Sequence, residues 1–89
     1  MNIKKGDIVT ATAGKERGQK FVVLSRDTKY CYLVDGKRLQ LNKPKKKSLK
    51  HVQKASKIEF DIKKLESGQQ NVNAEIRKIL KESVCQSKM

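Results

Sequence analysis

Gly6 to Leu24, GDIVTATAGKERGQKFVVL, is the stretch on which the fold turns. Asp7 to Ala13 carries no charge after Asp7 and is rich in Val, Ile and Thr, which suit a pleated, half-buried surface. Phe21 to Leu24 is a second apolar run of strand length. Between them stands GKERG, with Gly14 and Gly18 bracketing three charged residues. Glycine enters positive φ without steric cost, so a glycine at each end lets the backbone reverse tightly. The expectation is a hairpin that holds Lys15, Arg17 and Lys20 at one end of a sheet.

Working outward, Ser25 to Lys29 is polar and turn-like, and Tyr30 to Val34 (YCYLV) reads as a third strand. Tyr30, Tyr32 and Val34 alternate with Cys31 and Leu33, and both sets are largely apolar. One face should meet the core and the other should pack under a loop or helix. Asp35-Gly36 signals a two-residue type I′ hairpin turn. It leads into a fourth strand, RLQLN, opened by Lys37 or Arg38, in which Leu39 and Leu41 share a face and which Pro44 ends. Lys43 to Lys50 is too basic for a core, although Leu49 and Val52 are spaced to dip inward. A short closing strand near His51 and Val52 completes five. Small five-stranded sheets of this kind curl and so protect their edges. The reading is mainly β, a small five-stranded SH3-like barrel over residues 1–55.

The remainder, 56–89, changes character and reads as a C-terminal helical pair, packed on the barrel or mobile. Ser56-Lys57-Ile58-Glu59 matches a capping box, and Ile58, Ile62 and Leu65 follow helical spacing. Ile58, Phe60 and Ile62 alternate equally well, so 58–66 is open between helix and strand. Gly68 is a helix stop. Asn71 or Asn73 caps a second helix with Val72, Ile76, Ile79 and Leu80 as its apolar stripe. Glu75, Arg77, Lys78, Lys81 and Glu82 fall on its wet side, and Gln86 to Met89 should fray.

The 89 residues fit one domain with an appendage, and net charge is +13. Residues 1–57 hold 16 Lys and Arg against 4 Asp and Glu, while 58–89 hold 6 against 5. The strand-rich part is therefore the basic part, which argues for a polyanionic partner. No apolar run reaches the roughly 20 residues of a membrane span. MNIKKGDIV lacks the apolar stretch of a signal peptide, so the expected location is the cytoplasm. Cys31 and Cys85 are distant in sequence, and His51 is the sole histidine. Cys31 reads as a small buried hydrophobe and Cys85 as a tail thiol; neither a disulfide, a metal site nor a cofactor is expected.

No set of acid, base and nucleophile suggests an enzyme with a small-molecule substrate. GKERG lacks the upstream glycine and the Ser or Thr after lysine that a nucleotide-binding loop requires. Lysine and arginine, by contrast, neutralise phosphates and release counterions. Two clusters qualify. One is Lys15, Arg17 and Lys20; the other is Lys43, Lys45, Lys46, Lys47 and Lys50, with Lys37 and Arg38 close by. Single basic runs are usually solvated surface. Two runs flanking one small barrel favour RNA. His51, embedded among lysines, is a contact or surface residue. Tyr30, Tyr32 and Phe21 could stack bases but serve the core equally well, so backbone and shape recognition of folded RNA is expected over sequence readout. A protein-docking role would draw on Tyr30, Tyr32 and the amphipathic second helix.

The strand, basic loop and strand at Gly6 to Leu24 resemble the KOW motif of RNA-binding proteins found on ribosomes and transcription factors. The order TAGKERGQKFVVL, then YLVDGKRLQLNKPKKKSLKHVQ, is similar to the fourteen-e family of the archaeal and eukaryotic large ribosomal subunit. Small bacterial KOW-domain RNA-binding proteins share the pattern, including a tail like NAEIRKIL at Asn73 to Leu80. The resemblance implies a barrel that contacts ribosomal RNA, with Lys15, Arg17 and Lys20 matching the family loop. Lys45, Lys46, Lys47, Lys50 and His51 match its basic lead-in. It implies ribosomal proteins as further neighbours and either residence on the ribosome or a part in large-subunit assembly. An SH3-like module docking on ribosomal or transcription machinery is the alternative.

Overall fold

The structure is a computed structural model that describes residues 3–67, 69 and 71–86; the side chains of 56–58 and 82–86 lie outside that description. Five strands are present: β1 (Asp7–Ala11), β2 (Lys20–Arg26), β3 (Tyr30–Val34), β4 (Lys45–Ser48) and β5 (Val52–Glu59). Two helices follow, α1 (Ile62–Ser67) and α2 (Asn71–Gln86). All pairings are antiparallel, in the order β4-β3-β2-β1-β5. The edges β4 and β5 are joined only by a single 3-10 turn, Leu49–His51. Four peptide steps from Ser48 to Val52 reach about 14 Å. The edges of a flat five-stranded sheet stand about 19 Å apart. The sheet must therefore curl, and the result is an SH3-like half-barrel followed by a helical pair.

Both faces of the central strands are buried, and the period of two sorts their residues. Val9 pairs with Phe21 and Val23 with Leu33; with Ile3, Ala11, Cys31 and Val52 they fill the barrel. Ile8 pairs with Val22, and Val22 with Val34. These three face outward, where Phe60, Leu65, Val72, Ile76 and Leu80 cover them. The unbroken apolar run Phe21-Val22-Val23 follows from this double burial. The expected second face of β3 is thus met by a helix at Val34, whereas Tyr30 stays exposed and Tyr32 half-buried.

The expected fourth strand over Arg38–Asn42 does not form. The Asp35 carboxylate instead accepts from the amides of Lys37 (2.8 Å) and Leu39 (3.0 Å), and the Leu39 carbonyl accepts from Asp35 and Gly36. This folds the chain back on itself rather than launching a ladder through a two-residue turn. Leu39 then packs on the barrel core and Leu41 on the helical one, so the two do not share a face. The fourth strand lies further on at Lys45–Ser48, and Pro44 precedes it instead of ending it. Lysines suit such an edge because they repel a further strand.

The closing strand is longer than expected and runs to Glu59, past the boundary at 55. The stretch that resembles a capping box is strand; the side chains of Ser56 to Ile58 lie outside the described residues. β1 pairs with Val52, Gln53, Lys54 and Glu59, and between Lys54 and Glu59 a bulge sets four residues of β5 against the single Ile8 of β1. Asp61 takes over the capping. Its carboxylate accepts from the Lys63 amide at 2.9 Å and its carbonyl from Lys64 and Leu65. The first helix is accordingly only Ile62–Ser67, and the proposed stop at Gly68 lies outside the described residues; of the end expected to fray, Gln86 is the last residue of α2 and 87–89 lie outside the described residues. In α2, Val72, Ile76 and Leu80 are buried and Ile79 partly so, as the stripe requires. Asn73 is inside the helix, and its side-chain oxygen accepts from the Leu41 amide at 3.1 Å.

Gly36 fixes how closely α2 approaches. Its φ is +79°, and a Cβ there would overlap the Asn73 carbonyl oxygen. The Arg77 guanidinium donates to the Gly36 carbonyl across the same contact. The helix is thereby seated on the 35–41 segment as well as on the sheet.

Candidate nucleic-acid interface

The β1–β2 turn and the 35–44 segment leave the meander at the same end, because successive turns alternate ends. Gly14 (φ +82°) and Gly18 (φ +89°) bracket the first turn, as the sequence requires. Hydrogen bonds from Arg17 N to Gly14 O (3.2 Å) and Gly18 N to Ala11 O (2.8 Å) close it. Lys15 and Arg17 project into solvent and Lys20 is half-buried at the start of β2.

Glu16 brings the two basic segments together. Its carboxylate accepts from Lys45 Nζ at 2.6 Å and from Lys47 Nζ at 3.1 Å. Lys45 pairs across the ladder with Leu33, and Lys47 with Cys31. Both lysines are therefore on the inward side of β4, and their ammonium groups reach the turn over the barrel mouth. Only 10% of the Lys47 side chain is exposed, against 39% for Lys45. The hydrogen bonds from Lys45 and then Lys47 hold the Glu16 carboxyl at about 2, below its ordinary 4.5. A positioned lysine favours the ionised carboxylate. Gly14 leaves room for this pair: a Cβ there would stand 3.2 Å from Lys47 Nζ.

Lys46 faces the opposite way and is exposed, with its ammonium 4.3 Å from the centroid of the Tyr30 ring. That ring face is occupied by a cation and is not an open stacking platform. Phe21 is buried in the barrel and unavailable to a base. Lys43 is exposed just before β4, and Lys50 and His51 are exposed on the 3-10 turn. The His51 carbonyl accepts from Thr12 N at 2.8 Å, which ties that turn to the end of β1. Lys37 and Arg38 are exposed on the folded-back loop.

Each described carboxylate is already engaged. Asp27 and Asp35 accept from backbone amides, the hydrogen bonds from Lys29 and Tyr30 lowering Asp27 below its ordinary range. Glu59 takes Lys4, Glu66 takes Lys5, Glu75 takes Lys64 and Asp7 takes Lys54. Asp7 is fully buried, and one of its oxygens accepts from the Lys4 amide at 3.0 Å. Among the described residues, Lys15, Arg17, Lys20, Lys37, Arg38, Lys43 and Lys50 form no ion pair.

Sequence reasoning passed over part of this surface. A groove of about 900 Å³ runs between the turn and α2, with Lys20 and Lys37 on one side and Arg77, Lys78 and Lys81 on the other. The signal was present, since Arg77 and Lys81 at i, i+4 flank Lys78 on one helix face. It was hidden by the acids of the same segment, of which Glu75 is spent on Lys64. Among the described residues no group of three or more His, Cys, Asp or Glu could hold a metal ion. No described helix is long and apolar enough to cross a membrane. Cys31 is a free, buried thiol, and burial raises its pKa; the Cys85 side chain lies outside the described residues. No model of a protein family and no curated protein matches the chain.

Proposed function

We propose that this is a non-catalytic, cytoplasmic RNA-binding protein that contacts ribosomal RNA, as a ribosome-associated protein or in large-subunit assembly. One observation carries the reading. The described carboxylates are all committed to structural contacts, which leaves exposed cations of the turn and the 35–44 segment without counter-charges. Such a surface neutralises phosphates at low desolvation cost and releases condensed counterions. The order of basic loop, strands and basic segment, similar to ribosomal KOW proteins, points to ribosomal RNA. The docking alternative has less behind it. The large apolar side chains exposed among the described residues are Tyr30 and Ile62; Tyr30 lies under Lys46, and Ile62 lies against Gly6.

Binding to a ribosomal RNA hairpin, measured by fluorescence anisotropy across a salt series, tests this. Four to six phosphate contacts give a slope of log affinity against log salt of about −3 to −5. Lys15→Gln with Arg17→Gln should make the slope shallower by about 1–2. Salt-insensitive binding, or none, contradicts the reading.

A further inference from the structure

We infer that α2 is part of the RNA-binding surface and that the groove between it and the β1–β2 turn seats a stretch of phosphodiester backbone. The inference rests on the RNA reading above but assigns to the site residues of a segment whose overall charge is nearly balanced. Three features support it. First, the described acids of the tail are committed to partners other than Lys78 and Lys81. Asp61, Glu66 and Glu75 are turned to Lys63 N, Lys5 and Lys64. Lys78 and Lys81 remain exposed and, among the described residues, unpaired.

Second, the groove opposes cations across a gap. Lys20 and Lys37 stand on the barrel wall, and Lys78 and Lys81 on the helix. Its single described carboxylate, Asp35, is already held by two backbone amides. Apposed cations with no intervening free carboxylate repel each other until an anion enters. A phosphodiester chain supplies a negative charge at each nucleotide. The wall is also continuous with the exposed Lys15 and Arg17 of the turn. That continuity favours a backbone running along the turn and into the groove over an acidic peptide confined to it.

Third, the gap is preformed. Val72, Ile76 and Leu80 are sunk into the outer core, and the backbone of α2 rests on Gly36 with Arg77 bonded to its carbonyl. The width of the groove is thus set by packing, so little ordering is left for the moment of binding.

The test compares two charge-matched variants of the full chain on the same ribosomal RNA hairpin across a salt series. Lys78→Gln with Lys81→Gln empties the helix side of the groove. Lys29→Gln with Lys63→Gln removes the same charge from exposed positions that line no part of it. Circular dichroism and denaturation midpoints verify the fold of each. The groove variant is expected to bind about tenfold more weakly at 0.1 M salt, with a slope shallower by about 1–2. The control should stay within about twofold. If the groove variant matches the control while Lys15→Gln with Arg17→Gln still weakens binding, α2 has no part in the surface and the RNA reading survives. If the wild type itself shows no salt-dependent binding, both fail. Displacement of the hairpin by polyglutamate as readily as by unlabelled RNA of equal charge overturns the assignment to a phosphodiester chain.

Discussion

Lys45 and Lys47 on β4 contrast with Lys78 and Lys81 on α2. The first pair belongs to the densest basic run in the chain, yet both share the carboxylate of Glu16 and point inward over the barrel mouth. The second pair sits in a segment of almost no net charge, yet both are exposed and face a groove whose other wall is also cationic. Density of charge along a sequence says how many lysines there are. Which of them can take a phosphate depends on where the carboxylates go in three dimensions. In this chain they go to β4, to the N-terminal lysines and to α1, and the surface left over includes the turn, the 35–44 segment and α2.

The contrast is broken most severely by moving the helix. Gly36→Ala puts a side chain at positive φ and against the Asn73 carbonyl. Backbone strain and overpacking together should cost about 2–4 kcal/mol, read as a lower urea midpoint. The groove would open while the contact between Glu16 and Lys45 persisted. Next in size is RNA affinity. Lys20→Gln with Lys37→Gln should weaken binding about tenfold, and Lys45→Gln with Lys47→Gln less than about threefold, because the latter pair is turned inward onto the Glu16 carboxylate. Anisotropy at fixed salt separates the two.

A pH titration sharpens the β4 side. The Glu16 carboxyl is held at about 2 by Lys45 and Lys47, below its ordinary 4.5. A depressed carboxylate contributes stability that is fully present above the unfolded value and is lost as pH falls through the folded one. The contribution of Glu16 should therefore be intact above about pH 5 and decline between about 4.5 and 2. Carbon-detected NMR of the Glu16 side chain should show a midpoint near 2 that moves toward the ordinary value in Lys45→Ala with Lys47→Ala. The smallest effect belongs to the outward face of the same strand. Lys46→Gln removes an exposed cation from the Tyr30 ring and should lower stability by about 0.5 kcal/mol.

The parts of this arrangement legible in the sequence are those with one dominant local signal. Gly14 and Gly18 impose the turn, apolar and β-branched runs of strand length impose β1 to β3, and Val72, Ile76 and Leu80 impose the helix on the outer core. The fourth strand was not legible because Arg38 to Asn42 has the apolar alternation and Lys45 to Ser48 has none. The Asp35 carboxylate, by capturing two amides, overrode that pattern, and an edge position tolerated lysines. The start of the first helix was left open because Ser56 to Glu59 and Asp61 both offer capping chemistry, and only pairing with β1 decides between them. In the candidate site, Lys15, Arg17 and Lys37 were identifiable as exposed cations. The role of Glu16 was not, since its partners lie 29 and 31 residues away. The helix lysines were masked by neighbouring acids in the sequence, of which Glu75 turns away to Lys64.

Under the proposed RNA-binding role, spatial pairing rather than local charge density selects the lysines that meet RNA. That selection is tested most directly by titrating the isotope-labelled protein with a ribosomal RNA hairpin and following lysine side-chain resonances by NMR. The account predicts shifts for Lys15, Lys20, Lys37, Lys78 and Lys81, with Lys45 and Lys47 nearly unmoved. Shifts confined to Lys45 and Lys47, with the α2 lysines silent, would contradict it.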